Sequence, residues 1–222
     1  MTPYYVDDYV TLYHGDCRAW SGRVAGIVTD PPYGRAAMPE WHALAELASE
    51  SLDPGGWLCA YSGQACLTDV FAELSTDALA YRWTVATVYP GREQLARIED
   101  MSVLIGWKPV VIFRRRPFDQ QRDAGGRFTG DGLTSFRDVL PRGGYDKSAH
   151  RWQQPVSETA ELIARIAGPG RDGPILDPFA GSGSTLVAAK SLNRKAIGIE
   201  IEERYCEVAA TRLRQEVLGL AG

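Results

Sequence analysis

"PILDPFAGSGSTLVAAK", residues 174–190, decides the fold. A short apolar run ends at Asp177, a loop containing Gly181 and Gly183 follows, and the chain passes at once into a helical pattern. Glycines at such a junction let backbone N–H groups approach a ligand at the positive end of a helix. Seventeen residues beyond Gly183, in the next apolar run "KAIGIEI" (195–201), stands Glu200. That is about the offset at which an acid takes ribose hydroxyls in a nucleotide-binding strand–helix–strand unit. Leu186 occupies the place of the last glycine in G-x-G-x-x-G, which disfavours NAD. No Gly-Lys-Ser/Thr follows the loop, so ATP as a phosphoryl donor loses its main support. What survives is a nucleoside ligand without a pyrophosphate to cradle.

Outward from this unit the same alternation repeats. Further β-rich runs fall at 10–16, 24–30, 56–63, 81–90 and 103–113, and helical patterns at 39–52, 64–75, 157–168, 184–192 and 202–220. Strand followed by helix, several times over, predicts an α/β fold: a mostly parallel twisted sheet with helices on both faces. The runs 81–90 and 103–113 have no helix between them and predict an antiparallel hairpin at one sheet edge. Ligands in such folds bind beyond the carboxyl ends of the strands.

At one of those ends lies "IVTDPPYG" (27–34). Two prolines suit a surface turn that stops a strand, but that account leaves Asp30 and Tyr33 as accidents.

The 222 residues, 45% of them hydrophobic, suit one α/β domain. No apolar run reaches the roughly 18 residues of a membrane helix, and the first ten residues lack a basic and an apolar leader region, so a soluble, cytoplasmic protein is expected. Four scattered cysteines and three dispersed histidines suggest neither a disulfide framework nor a metal site. The net charge of −4 hides an asymmetry: Arg92 to Arg151 carries 12 Lys and Arg against 8 Asp and Glu, leaving 12 basic and 20 acidic residues elsewhere. The densest stretch, "RRRPFDQQRDAGGRF" (114–128), reads either as a solvated loop or as a phosphate-contacting surface.

"DPPY" and "DPFAGSGST", in that order and with "HRWQQP" just before the second, resemble the amino-group DNA methyltransferases that use S-adenosylmethionine, in their β class. The resemblance implies a Rossmann-like methyltransferase domain over 1–222: a catalytic half (about 24–113), a target-contact segment (about 114–149), and a cofactor half (about 150–222 plus 10–17). It implies cofactor contacts from Asp177, Phe179, Gly181, Gly183, Ser184, Thr185 and Glu200. "LYHGDC" (12–17) is similar to a further cofactor motif, which gives Asp16 and Cys17 a place beside the adenine; the plain alternative for Asp16 is a strand-end cap. His150, Gln153 and Pro155 match an H-x-x-Q-K-P stretch in which Gln154 replaces the lysine.

The family's chemistry gives the Asp-Pro-Pro-Tyr stretch a purpose. Asp30 and the Pro31 carbonyl would accept the two N–H groups of a flipped base's exocyclic amine. Pro32 restricts its predecessor to extended conformations and so aims that carbonyl, while Tyr33 stacks on the base. Asp at position 30 favours adenine N6 over cytosine N4 in this family. A glutamine methyltransferase with Asn-Pro-Pro-Tyr is disfavoured by the acid and by the motif order, and a non-catalytic binding subunit by the intact motifs. Arg114, Arg115, Arg116, Arg122 and Arg127 become candidate DNA contacts. The implied partners are DNA, a second copy in a homodimer, and a cognate restriction enzyme.

Overall fold

In the computed structural model, residues 1–88, 94–98, 101–118, 137–141, 156–167 and 172–219 are described. The strands are β1 (Pro3–Val6), β2 (Val10–His14), β3 (Val24–Thr29), β4 (Leu52–Tyr61), β5 (Leu79–Val88), β6 (Gln94–Ile98), β7 (Met101–Ile105), β8 (Trp107–Arg115), β9 (Val139–Pro141), β10 (Ile175–Asp177) and β11 (Ala196–Glu200). The helices are α1 (Met38–Ser51), α2 (Leu67–Leu74), α3 (Val156–Leu162), α4 (Ser184–Ser191) and α5 (Glu203–Gly219), with a π-helical turn over Ile163–Ala167 extending α3.

Period-two alternation along the strands dictates how the sheet is covered. On β4, Leu58 and Ala60 join one apolar cluster while Cys59 and Tyr61 join the other; on β8, Val111 and Phe113 part in the same way from Val110 and Ile112. Trp41 and Leu44 of α1 and Val70 and Leu74 of α2 close the first cluster. Leu162 of α3, Leu186 of α4, and Ala209 and Leu213 of α5 close the second. With both faces covered, all six residues of β3 are buried, and its one polar side chain, Thr29 at the strand end, is hydrogen-bonded.

The main sheet has nine strands in the order β1-β2-β11-β10-β3-β4-β8-β5-β9. Its centre, β2-β11-β10-β3-β4, is parallel; β1, β8 and β5 run antiparallel to β2, β4 and β8 respectively. The expected hairpin is present as the pair β5–β8, with two differences. The run 103–113 divides near Gly106: Met101–Ile105 pairs with β6 in a separate two-stranded ribbon, and only Trp107 onward joins the sheet. The pair also lies one strand in from the edge, because β9 pairs with Ala86–Val88 of β5.

The chain leaves β10 through α4 toward β11 and leaves β3 through α1 toward β4, so the direction of winding reverses between β10 and β3. A crevice forms at the carboxyl ends of strands on either side of such a reversal. Asp177 and Asp30 stand at its two walls.

Candidate active site

The first wall is built by the loop between β10 and α4. Gly183 is the N-cap of α4 with φ 80°, and a Cβ there would lie 2.9 Å from the Ala209 Cβ of α5. Glycine is therefore needed both for the left-handed turn and for the contact between α4 and α5. Gly181, with φ 51°, has only its neighbouring Phe179 oxygen, 4.0 Å away, near its Cβ position, which leaves open space over the loop. Arg212 of α5 holds the loop from behind, donating from Nη1 to Ser182 O (2.6 Å), with the Ser182 and Ser184 hydroxyls each at 3.3 Å.

Two acids flank the loop. Glu200 Oε2 accepts from Gly181 N at 2.7 Å and Oε1 from Glu202 N at 2.8 Å, so the carboxylate is fixed at the end of β11. Asp177 is buried; its Oδ1 accepts from Thr29 Oγ1 at 2.7 Å and from Phe179 N at 3.1 Å, and the Thr185 hydroxyl also hydrogen-bonds to it. Burial outweighs these donors and pushes the Asp177 carboxyl up to about 6.

Asp16 lies just past β2, next to β11, where His14 pairs with Glu200 and Gly15 N donates to Glu200 O. Its Oδ1 accepts from Arg18 N and its Oδ2 from Arg18 Nη1, both at 2.9 Å, capping the short turn Cys17–Ala19. The Arg18 N–H, followed by its guanidinium, holds the Asp16 carboxyl below the usual range against a partial opposing effect of burial. The capping alternative is therefore realised, and with 41% of the side chain exposed the carboxylate still faces solvent at the strand ends. Cys17 is buried beneath it, and burial pushes its thiol up to about 11.

The second wall is Asp30–Tyr33. Trp41 Nε1 of α1 donates to Pro32 O at 3.0 Å, and Gly34, with φ 94°, turns the chain away after Tyr33. The Tyr33 ring is 44% exposed and its hydroxyl donates to Asp30 Oδ1. A residue outside the motif completes the site: Lys108 Nζ, from β8, lies 3.0 Å from Asp30 Oδ1 and 3.2 Å from Oδ2. Sequence reasoning missed Lys108, because its partner is 78 residues away. The available signal was a proline directly after a lysine inside a strong strand pattern.

Three expected DNA contacts are not brought to this site. β8 runs antiparallel to β4, so Trp57 pairs with Arg114 while Tyr61, at the crevice end, pairs with Val110. At about 3.4 Å per residue Arg114 lies roughly 20 Å along the strand from Lys108. Arg114 Nε donates to Gly55 O (3.1 Å), and its guanidinium lies over the Trp57 and Phe118 rings. Arg115 Nε donates to Ser49 O (2.7 Å) and Arg116 Nη1 to Asp77 O (3.4 Å). All three tie β8 to the opposite end of the sheet. Arg122, Arg127, His150 and Gln153 lie outside the described residues. Among the described residues no cluster of His, Cys, Asp and Glu could hold a metal ion, and no helix is long and apolar enough to cross a membrane.

Residues 135–211, spanning the glycine loop and Glu200, match the family model for N6 and N4 amino-methyltransferases described as "DNA methylase". Over this stretch, about a third of the chain, the sequence is similar to that family. One relative is the Type II methyltransferase M.ScaI of Streptomyces caespitosus, 40% identical over 79 residues that make up 36% of this chain and 25% of that protein. Another is the Type II methyltransferase M.HinfI of Haemophilus influenzae, 44% identical over 31% of this chain and 19% of that protein. The match thus spans a quarter or less of the length of these relatives. Among solved structures, the complex of M1.HpyAVI with SAM superposes with a TM-score of 0.69 at 21% identity, covering 91% of this chain and 99% of that one. That likeness shows a shared Rossmann-like fold over nearly the whole chain.

Proposed function

We propose that this chain transfers a methyl group from S-adenosylmethionine to the exocyclic amine of adenine in DNA. The observation that carries the reading is the shared wall between the two motifs: Thr29, directly before Asp30, is hydrogen-bonded to Asp177 at the head of the glycine loop. A methyl donor held on the loop and an amine held by Asp30 would be neighbours by construction.

The residues fit the cofactor. Open space over Gly181, the fixed carboxylate of Glu200 and the outward carboxylate of Asp16 suit a nucleoside with hydroxyls and an amine to donate. When bound, S-adenosylmethionine supplies a methyl group on a sulfonium, already a good electrophile. The protein's task is orientation, an effect that can reach roughly 7–11 kcal/mol. Asp30 and the Pro31 carbonyl accept the amine's two N–H groups and draw its lone pair out of conjugation with the ring. As the N–C bond formed and the methyl–sulfur bond broke, the amine would release one proton, which Asp30 would accept on its way to water. Tyr33 stacks on the base, worth about 1–3 kcal/mol.

DNA as substrate is supported by the likeness of residues 135–211 to the DNA methylase family model, and a cognate restriction enzyme by the relatives' Type II names. Adenine is favoured by Asp at position 30. The experiment is incubation with methyl-labelled S-adenosylmethionine and unmethylated genomic DNA, digestion to nucleosides and mass spectrometry. N6-methyladenine supports the reading in full, N4-methylcytosine keeps the mechanism and replaces the base, and no labelled nucleoside overturns the reading.

A further inference from the structure

Lys108 is held in place as closely as the motif it faces. The carbonyls of three consecutive residues are all engaged: Trp107 O accepts from Gln64 Nε2 (3.3 Å), Lys108 O from Thr87 Oγ1 (3.2 Å) and Pro109 O from Ser62 N (2.9 Å). Pro109 adds a second constraint, since the residue before a proline is driven to extended backbone, the device that Pro32 applies to Pro31. A proline in an interior strand forfeits a ladder donor, so its presence here needs a reason. The strand thus delivers the ammonium to one spot.

At that spot the Lys108 side chain is only 11% exposed, and its ammonium touches both Asp30 oxygens and lies over two rings at once, 4.5 Å from the centre of Tyr33 and 4.7 Å from that of Tyr61. Contact with both oxygens fixes the plane of the carboxylate. Contact with Tyr33 occupies one face of that ring, so a base stacking on it must take the other face. Tyr61 is fully buried and its hydroxyl reaches Thr159 of α3 at 3.4 Å, which anchors the cation's lower side in the core.

We propose that Lys108 is a positioning residue for the methyl transfer, orienting Asp30 and presenting the free face of Tyr33 so that both meet the target amine in one geometry. This rests on the reading of the site as an amine methyltransferase. Lys108 comes from β8, three strands and about 14 Å from β10 in the sheet, so its effect falls on the acceptor and not on the cofactor.

The test measures single-turnover methylation with DNA saturating, and cofactor affinity by calorimetry, for Lys108→Met, Lys108→Gln and Lys108→Arg in the full chain, with and without Asp30→Ala. The expected result for Lys108→Met is a rate about 100-fold lower, the loss typical of a small misplacement, with cofactor Kd and DNA KM within about threefold of wild type. Lys108→Arg recovers at least part of the rate, and in the Asp30→Ala background Lys108→Met changes the rate less than about twofold, because the lysine acts through Asp30. If Lys108→Met does not fold, Lys108→Gln is judged by the same criteria. A folded variant within threefold of the wild-type rate overturns the role, as does an equal loss in the Asp30→Ala background. A wild-type protein that methylates no DNA removes the reading and the role together; an active wild type with an active Lys108→Met removes the role alone.

Discussion

The hydroxyl of Thr29 and the carboxylate of Asp177 meet across 2.7 Å, 148 residues apart in the chain, and join the last residue of one central strand to the last residue of its neighbour. Both groups are buried. Thr29→Val keeps the shape and removes the donor, leaving a buried carboxylate with fewer partners, a change that costs about 1–3 kcal/mol. Urea unfolding of the variant should show this loss, together with weaker cofactor binding as the glycine loop loses its fixed origin. Unchanged stability and affinity would show that the bond does not couple the two motifs.

Asp177 also sets a pH dependence. Burial raises its folded carboxyl from an ordinary 3.8 to about 6, so between those values the native state holds a proton that the unfolded chain releases. Stability from this group is present below about 4 and lost as pH rises through 6. Asp177→Asn removes the titration, so its stability relative to wild type should improve by about 2–3 kcal/mol from pH 4 to pH 7, while cofactor affinity falls. A stability difference that is constant across that range would contradict the assignment.

Asp30→Ala tests the acceptor. If the carboxylate orients the amine, single-turnover methylation should fall on the order of 10²–10³, by analogy with loss of one oxyanion-hole donor, while cofactor affinity stays near wild type. Near-wild-type methylation by the alanine variant would sink the role given to Asp30.

Much of this site was legible because strand ends announce themselves locally. An apolar run that stops at an acid followed by glycines or prolines identified the ends of β3 and β10 and, with Glu200, the end of β11. What escaped depends on partners distant in sequence. The pairing of β8 with β5 was expected, but nothing near residue 108 indicates that β8 also pairs with β4, next to β3, so the reach of Lys108 to Asp30 was invisible. The same register sets Arg114–Arg116 at the end of the sheet away from Asp30, a placement their charge density does not reveal. "VLIGWKPVVIF" reads as one strand because a continuous apolar run carries no mark of the bend at Gly106, and β1 and β9 are too short to show a period.

The arginines can be separated by experiment. Arg115→Gln removes a charged donor from the Ser49 carbonyl at the far end of the sheet and should cost about 1–2 kcal/mol of stability, with DNA affinity within about twofold of wild type. Arg122→Ala and Arg127→Ala, if they contact phosphates, should each weaken binding across sequences and lower the salt slope by about 1. Binding isotherms at several salt concentrations decide between these roles.

Lys190 is nearly buried, yet its Nζ meets Asp7 Oδ2 at 2.5 Å and Leu213 O at 3.0 Å. Asp7 also accepts from Tyr5 OH and from Tyr9 and Val10 N, and these donors together overcome burial, the largest single influence, to hold its carboxyl below the ordinary value. The cluster fastens the turn before β2, and with it Asp16, to α4 and α5. Lys190→Met breaks a buried pair and should cost about 3 kcal/mol. Because the Asp7 carboxyl is depressed, its contribution is present above an ordinary carboxylate pKa and is lost as pH falls through the lower folded value. The variant's deficit should therefore be full at pH 7 and shrink in acid. Thermal melts of both proteins at pH 7 and pH 3 measure it, and a deficit that grows on acidification would show that the lysine stabilises the fold by something other than its pairing with Asp7.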